Sequence, residues 1–340
     1  MDSVTLDFGA ARAAVARHAV RTPLVPARHL SERLGRPVLL KLECLQRTGS
    51  FKVRGAAARL ESLDREERVR GVVACSSGNH GRAVAFVAGR MGVPATVFVP
   101  EWVDPVKLEG IRASGADARR EGATFDESEA LATAWASERG LIYVSAYDDP
   151  WVIAGQGTLA GEIAEQAGNG VASVLVPLSG GGLIGGIAAA FREAEATGGD
   201  RRPEVVAVSA ERAAVMLASV RAGRPVDVPE EDTLANALAG GIGPDNRYSF
   251  PMVRDLVDLH VTVSEKEIAA AMRYAVERLR VVVEGGGAVG LAALLAEAGG
   301  AGATPRPAAR GGTEAGALVV VVSGGNVATA TLLEVLSDSG

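Results

Sequence analysis

The chain has little of what metals and disulfide scaffolds need: two cysteines, four histidines and 4% aromatics in 340 residues. Cys44 and Cys75 each lie in or beside an apolar, strand-like stretch. That placement points to buried thiols in a reducing compartment. His18, His29, His80 and His260 are scattered, and no Cys–His cluster has zinc spacing, so no metal site is expected. A basic stripe is lacking too. The net charge is −6 with both signs interleaved, which argues against a nucleic-acid partner. Asp2 and Asp7 precede any apolar stretch, unlike the basic-then-apolar order of a signal peptide. The longest apolar runs, such as Ala317–Val322, are far too short to span a membrane. A cytoplasmic protein acting on a small molecule, with no membrane partner, is the expectation.

What remains is ordinary globular composition, 48% hydrophobic and 22% charged. The length is generous for one core and comfortable for two lobes. Short Val-rich runs alternate with Ala-rich segments of helical period. The runs are Val38–Leu42, Gly71–Cys75, Ala95–Val99, Leu141–Val144, Val171–Pro177, Glu204–Val208 and Leu318–Val322. The helical segments include Gly81–Met91, Asp126–Arg139 and Leu183–Ala196. Continuous apolar strands between helices predict an α/β fold with mostly parallel sheets. Ligands of such folds sit beyond the C-terminal strand ends. Three Gly-rich turns follow strands: Ser76–Gly81, Ser179–Leu183 and Ser323–Asn326. A fourth cluster, Gly285–Gly287, opens a helix. Gly299–Gly316 reads as an exposed, mobile loop.

Lys52 lies in Thr48-Gly49-Ser50-Phe51-Lys52-Val53-Arg54-Gly55. Most lysines are solvated. This one has flanking glycines, a preceding aromatic and Arg54 close behind. Apolar and cationic neighbours depress a lysine pKa, as Schiff-base chemistry requires. Ser179-Gly180-Gly181-Gly182 exceeds the needs of a tight turn, and bare backbone at a helix N-terminus suits a phosphate. Gly180–Gly185 also matches G-x-G-x-x-G, with Glu211 beyond the next strand, which keeps a nicotinamide-dependent dehydrogenase open. That reading leaves Lys52, Ser76–Gly81 and Ser323 unused. Ser76, Ser77 and Asn79 can cap a helix or bind a carboxylate and a phenolic oxygen. Ser323 either ends a strand or aims a hydroxyl at a ligand.

The order Ser-Phe-Lys-x-Arg-Gly, Ser-Ser-Gly-Asn-His-Gly, a glycine-rich phosphate loop and Ser-Gly-Gly-Asn resembles the threonine/serine dehydratase and serine racemase family. These are fold-type II pyridoxal-phosphate enzymes, related in fold to the tryptophan synthase β-subunit. The resemblance runs across nearly the whole chain. It implies a large lobe from 1–45 and 149–340, with a smaller lobe, 46–148, inserted in it. It also implies that Lys52 carries pyridoxal 5'-phosphate as a Schiff base, with Phe51 behind the pyridine ring. Asn79 is expected to meet the phenolic oxygen. Ser179, Gly180, Gly181, Gly182 and Leu183 would hold the phosphate, and Ser323 would face the pyridine nitrogen. Ser76, Ser77, Gly78, Asn79 and His80 would cradle the substrate carboxylate. Lys52 and Ser77 are the candidate catalytic residues. The implied reaction removes water from an L-β-hydroxy amino acid, leaving a 2-oxo acid and ammonia. A serine opposite the ring nitrogen favours elimination over a long-lived carbanion. Homodimers and homotetramers are common in the family.

Several departures bear on the choice within it. Racemases carry an arginine after Asp-Glu-Ser, where this chain has Glu129, and an asparagine where it has Tyr147. Dehydration therefore ranks above racemisation. His80 and Leu183 argue against β-replacement enzymes. Asn236–Arg247, with Gly241 and Tyr147 as candidate substrate contacts, departs from biosynthetic threonine dehydratases. It resembles the dehydratase branch linked to hydroxyectoine breakdown. Glu211 matches a cation ligand of some relatives, but Val215 and Leu217 stand where further ligands belong. The regulatory domain of isoleucine-inhibited dehydratases has no counterpart here, so isoleucine feedback is not expected. A non-catalytic binding module is disfavoured, because the lysine and all three loops are intact.

Overall fold

The computed structural model describes residues 5–76, 78–101, 103, 105–168, 170–299 and 316–337. Ser77 and nearly all of the Gly299–Gly316 segment lie outside the described residues.

The larger sheet has six strands. They are β1 (Leu24–Pro26), β2 (Val38–Leu42), β7 (Val171–Pro177), β8 (Glu204–Ala210), β9 (Leu259–Val263) and β10 (Ala317–Val322). Their order is β1-β2-β10-β7-β8-β9. Only β1 is antiparallel to its neighbour. In the centre, Val320 pairs with Leu40 on one side and Leu175 on the other. All three side chains are buried. Helices cover both faces, which is why central strands can be apolar at every position.

The smaller sheet is wholly parallel. Its strands β3 (Val72–Cys75), β4 (Ala95–Val99), β5 (Asp117–Arg120) and β6 (Ile142–Tyr143) run in the order β5-β4-β3-β6. All four fall between β2 and β7 in sequence, so the smaller lobe is inserted in the larger.

Three strands were not legible as apolar runs: β1, β5 and β9. The lysine-bearing helix, Lys52–Glu61, packs against Phe8–His18, Asn79–Met91 and Pro150–Ala167. Glycine makes this packing close. A Cβ on Gly155 would meet the Arg54 carbonyl oxygen at 2.5 Å, and one on Gly55 would meet the Gln156 side chain at 2.3 Å. The helix is therefore seated backbone to backbone.

Candidate active site

Each glycine-rich turn predicted from sequence leaves the C-terminal end of a parallel strand, namely β3, β7 or β10. An isolated antiparallel bridge pairs Ser50 with Gly324, and the Phe51 amide donates to the Ser323 carbonyl at 3.0 Å. The lysine segment and the last turn are thus held edge to edge.

Lys52 is the first residue of its helix. Its Nζ donates to the Ala146 carbonyl at 2.7 Å and sits 5.2 Å from the Phe51 ring centroid. Burial pulls the amine down from 10.5 to about 8, against the opposing pull of Glu284. Apolar and cationic neighbours were both expected to depress it, and only burial does. Arg54 does not contribute. Its guanidinium turns away into a buried network with Glu43 and Glu162.

The next residue after Ala146 reaches the phosphate-type loop. Gly180, with an added Cβ, would collide with the Tyr147 ring at 2.3 Å, and Gly182 with the Tyr147 carbonyl oxygen at 2.6 Å. Gly181 has φ +85° and would meet Val253 at 2.8 Å. The loop is bare of side chains by steric necessity. It opens the 15-residue helix Gly182–Ala196, whose first-turn amides have no intrahelical acceptor. This is a cradle suited to an anion. Gly180→Ala is expected to weaken cofactor binding by about tenfold or more, a penalty of about 1.4 kcal/mol. Titration of the apoprotein with the cofactor checks this, and unchanged affinity counts against the cradle.

Asn79 begins the helix Asn79–Met91. Its Nδ2 donates to Glu284 Oε1 at 2.7 Å, and its Oδ1 accepts from Asn326 Nδ2 at 2.6 Å. The Gly78 amide donates to Ser76 Oγ at 3.1 Å. His80 is buried, and its Nε2 lies 2.8 Å from the Val144 carbonyl. Burial, with Lys52 nearby, holds its pKa down at about 3, so the ring is a neutral donor to that carbonyl at ordinary pH. Ser323 is buried, with its Oγ 3.5 Å from the Gly286 carbonyl.

Sequence reading missed Glu284. It is nearly buried, precedes Gly285–Gly287 and touches the site through Asn79. An acid between an apolar run, Val281–Val283, and three glycines was the available signal. The glycines bring it close, since a Cβ on Gly287 would meet the Gly324 carbonyl oxygen at 2.4 Å.

The expected substrate segment is tied to the same place. Asp148, next to Tyr147, accepts from the amides of Arg247, Tyr248 and Ser249, each at 2.8 Å. Gly241, Asn236 and Arg247 are exposed. Glu129 accepts from the Tyr143 hydroxyl at 2.7 Å. Among the described residues no group of three or more His, Cys, Asp or Glu side chains is placed to hold a metal, and no helix is long and apolar enough to cross a membrane.

The arrangement therefore offers an amine of depressed pKa, an anion cradle, an amide donor and a buried hydroxyl around two α/β lobes. Such a set fits an aldehyde cofactor carrying a phosphate. Residues 15–306 match the family of pyridoxal-phosphate-dependent enzymes, and the chain belongs to that family. It is 43% identical to a putative threonine dehydratase of Sinorhizobium fredii over 93% of this chain and 90% of that one. It is equally similar, at 43%, to an L-threonine ammonia-lyase of Geobacter sulfurreducens, over 92% of this chain and 73% of the other. Among solved structures, maize serine racemase superposes with a TM-score of 0.86 at 32% identity, covering 97% of each chain. Threonine deaminase isoform 2 of Solanum lycopersicum gives 0.86 at 32% identity, over 98% of this chain and 88% of that one. The protein is a pyridoxal-phosphate-dependent enzyme, similar to threonine ammonia-lyases and to serine racemases.

Proposed function

We propose that this enzyme eliminates water from threonine, serine or a related L-β-hydroxy amino acid, releasing a 2-oxo acid and ammonia. The observation that carries this reading is Lys52. It is an amine held near pKa 8, linked through Ala146–Tyr147 to a side-chain-free helix N-terminus. Bound pyridoxal 5'-phosphate supplies electron withdrawal at the substrate α-carbon.

The chain's own groups do the rest. With the cofactor bound, Lys52 would hold it through Nζ and would take the substrate α-proton at the same atom. Gly180–Leu183 and Ser179 bind the phosphate. Asn79 would hold the cofactor's phenolic oxygen, Phe51 its ring and Ser323 its ring nitrogen. Ser76–His80 receive the substrate carboxylate, while Tyr147 and Gly241 border the side-chain end. The residues beyond position 148 and before 46 form the larger lobe. Glu129 and Tyr147, where racemases of the family carry arginine and asparagine, favour elimination over racemisation.

The test is direct. Purified protein loaded with the cofactor should be yellow, and borohydride should bleach it and mark Lys52. Given threonine or serine it should release 2-oxo acid and ammonia in equal amounts. Chiral analysis of unreacted substrate provides the second arm. D-enantiomer formed faster than 2-oxo acid would make this a racemase.

A further inference from the structure

The motif Ser323-Gly324-Gly325-Asn326 contains one residue with no role so far. Asn326 sits at the centre of a chain of polar contacts. Arg82 Nη1 donates to Asn326 Oδ1 at 2.9 Å. Asn326 Nδ2 donates to the Thr48 carbonyl at 2.8 Å and to Asn79 Oδ1 at 2.6 Å. Asn79 Nδ2 donates to Glu284 at 2.7 Å.

The two ends fix the direction of every link. A guanidinium only donates, and a carboxylate only accepts. With Arg82 on its oxygen and the Thr48 carbonyl on its nitrogen, Asn326 has one amide orientation. Asn79 must then accept with Oδ1, so its NH2 is turned the other way. One of its hydrogens goes to Glu284, and the second is left for another acceptor. The backbone is shaped to admit Asn326. Gly49 has φ +75°, and a Cβ there would meet Asn326 Oδ1 at 2.3 Å. Arg82 reaches this network from a cavity of about 290 Å³ also bordered by Arg47, Phe86, Gly110 and Ser114.

We propose that Asn326, aligned by Arg82, is a positioning residue that locks the Asn79 amide with its NH2 toward the cofactor's phenolic oxygen. The inference rests on the cofactor contact proposed for Asn79. Glu284 holds the Asn79 amide through its nitrogen and Asn326 through its oxygen, so losing Asn326 leaves the orientation resting on a single contact.

The experiment measures two properties of the cofactor-loaded protein: the visible absorbance band and the cofactor dissociation constant. Asn326→Asp is nearly isosteric and keeps Arg82 paired, yet cannot donate to Asn79. It is expected to shift the band in the same direction as Asn79→Ala and to loosen the cofactor about tenfold. Arg82→Met should move both properties the same way by less, and Arg82→Lys, which still only donates, should restore them.

If Asn326→Asp does not fold, Arg82→Met at the cavity edge carries the test. Wild-type band and affinity in both, while Asn79→Ala alters both, would overturn the positioning role and leave the Asn79 contact standing. An unaltered Asn79→Ala would instead overturn the cofactor contact on which the inference rests.

Discussion

Lys52→Ala is expected to lower 2-oxo acid release by at least about 10³-fold, through loss of both cofactor attachment and α-proton transfer. It should also abolish borohydride-fixed label. Thermal melting of the apoprotein separates this from misfolding. Lys52 is the first residue of its helix, and its amine makes one hydrogen bond to a carbonyl. Removing it deletes a buried amine and breaks no ion pair with an acid. The melt should therefore stay near wild type, whereas activity and label vanish. Retained label at another lysine, or retained turnover, would remove Lys52 from the centre of the reaction.

The same residue predicts a pH dependence. With its amine near 8 in place of 10.5, roughly one-tenth is neutral at pH 7, against about one part in three thousand for an ordinary lysine. Capture of the cofactor by apoprotein should rise between pH 7 and 9 and level off above. Stability follows with a defined sign. Between about 8 and 10.5 the unfolded chain binds the proton that the folded chain has released, so apoprotein stability rises with pH across that window. A capture rate still climbing steeply at pH 10 would show an unshifted amine.

Edge position accounts for much of which strands show as apolar runs in the sequence, although the edge strand β6 did show. β2, β10, β7 and β8 are interior, are covered on both faces and are mostly apolar, although Lys41 interrupts β2 and Ser173 interrupts β7. β1 and β9 close the large sheet, and β5 and β6 close the small one. β5 is Asp117-Ala118-Arg119-Arg120, with only Ala118 buried, and β1 has three residues ending in Pro26. An edge strand needs neither a double apolar face nor a full ladder of donors, so β1 and β5 leave no continuous apolar run, and β9 shows only alternation, Leu259, Val261 and Val263.

The site divides the same way. Glycines announced the loops, because a missing side chain is visible in sequence. The roles of Glu284 and Arg82 did not show in sequence, because they come from Asn79 and Asn326, which lie more than 200 positions away along the chain in each pairing. Arg54 was visible but misread. Its motif position suggested a cation acting on Lys52, whereas helical geometry sends its side chain to the opposite side.

Arg54 is where the largest stability loss is expected. Its side chain is fully buried, with Nε and Nη2 on Glu43 at 2.8 and 2.9 Å and Nη1 and Nη2 on Glu162 at 2.7 and 3.0 Å. Lys41, also fully buried, donates to Glu162 at 2.5 Å, to the Thr22 carbonyl at 2.8 Å and to Gln166 at 2.7 Å. Two cations and two carboxylates make a neutral cluster that ties the lysine helix to β2 and to the helix Pro150–Ala167.

Arg54→Met fills similar space but leaves buried Glu43 and half-buried Glu162 facing one ammonium. The expected loss is about 3–5 kcal/mol, the usual cost of stranding a buried charge, read by denaturant melts of the apoprotein. The sign of its pH dependence separates lost charge from lost packing. Burial pushes Glu162 upward, but Arg54 and Lys41 outweigh it and hold its pKa below the usual value. In wild type that stabilisation is present at neutral pH and disappears as pH falls through the lowered value. In the variant burial gains against the remaining partner, and protonation relieves the stranded charge. The gap between the two proteins should narrow as pH falls from 7 toward 4. A gap that is constant with pH would mean that Arg54 acts through packing alone, and that the lysine helix is seated by its glycines without help from the ion cluster beneath it.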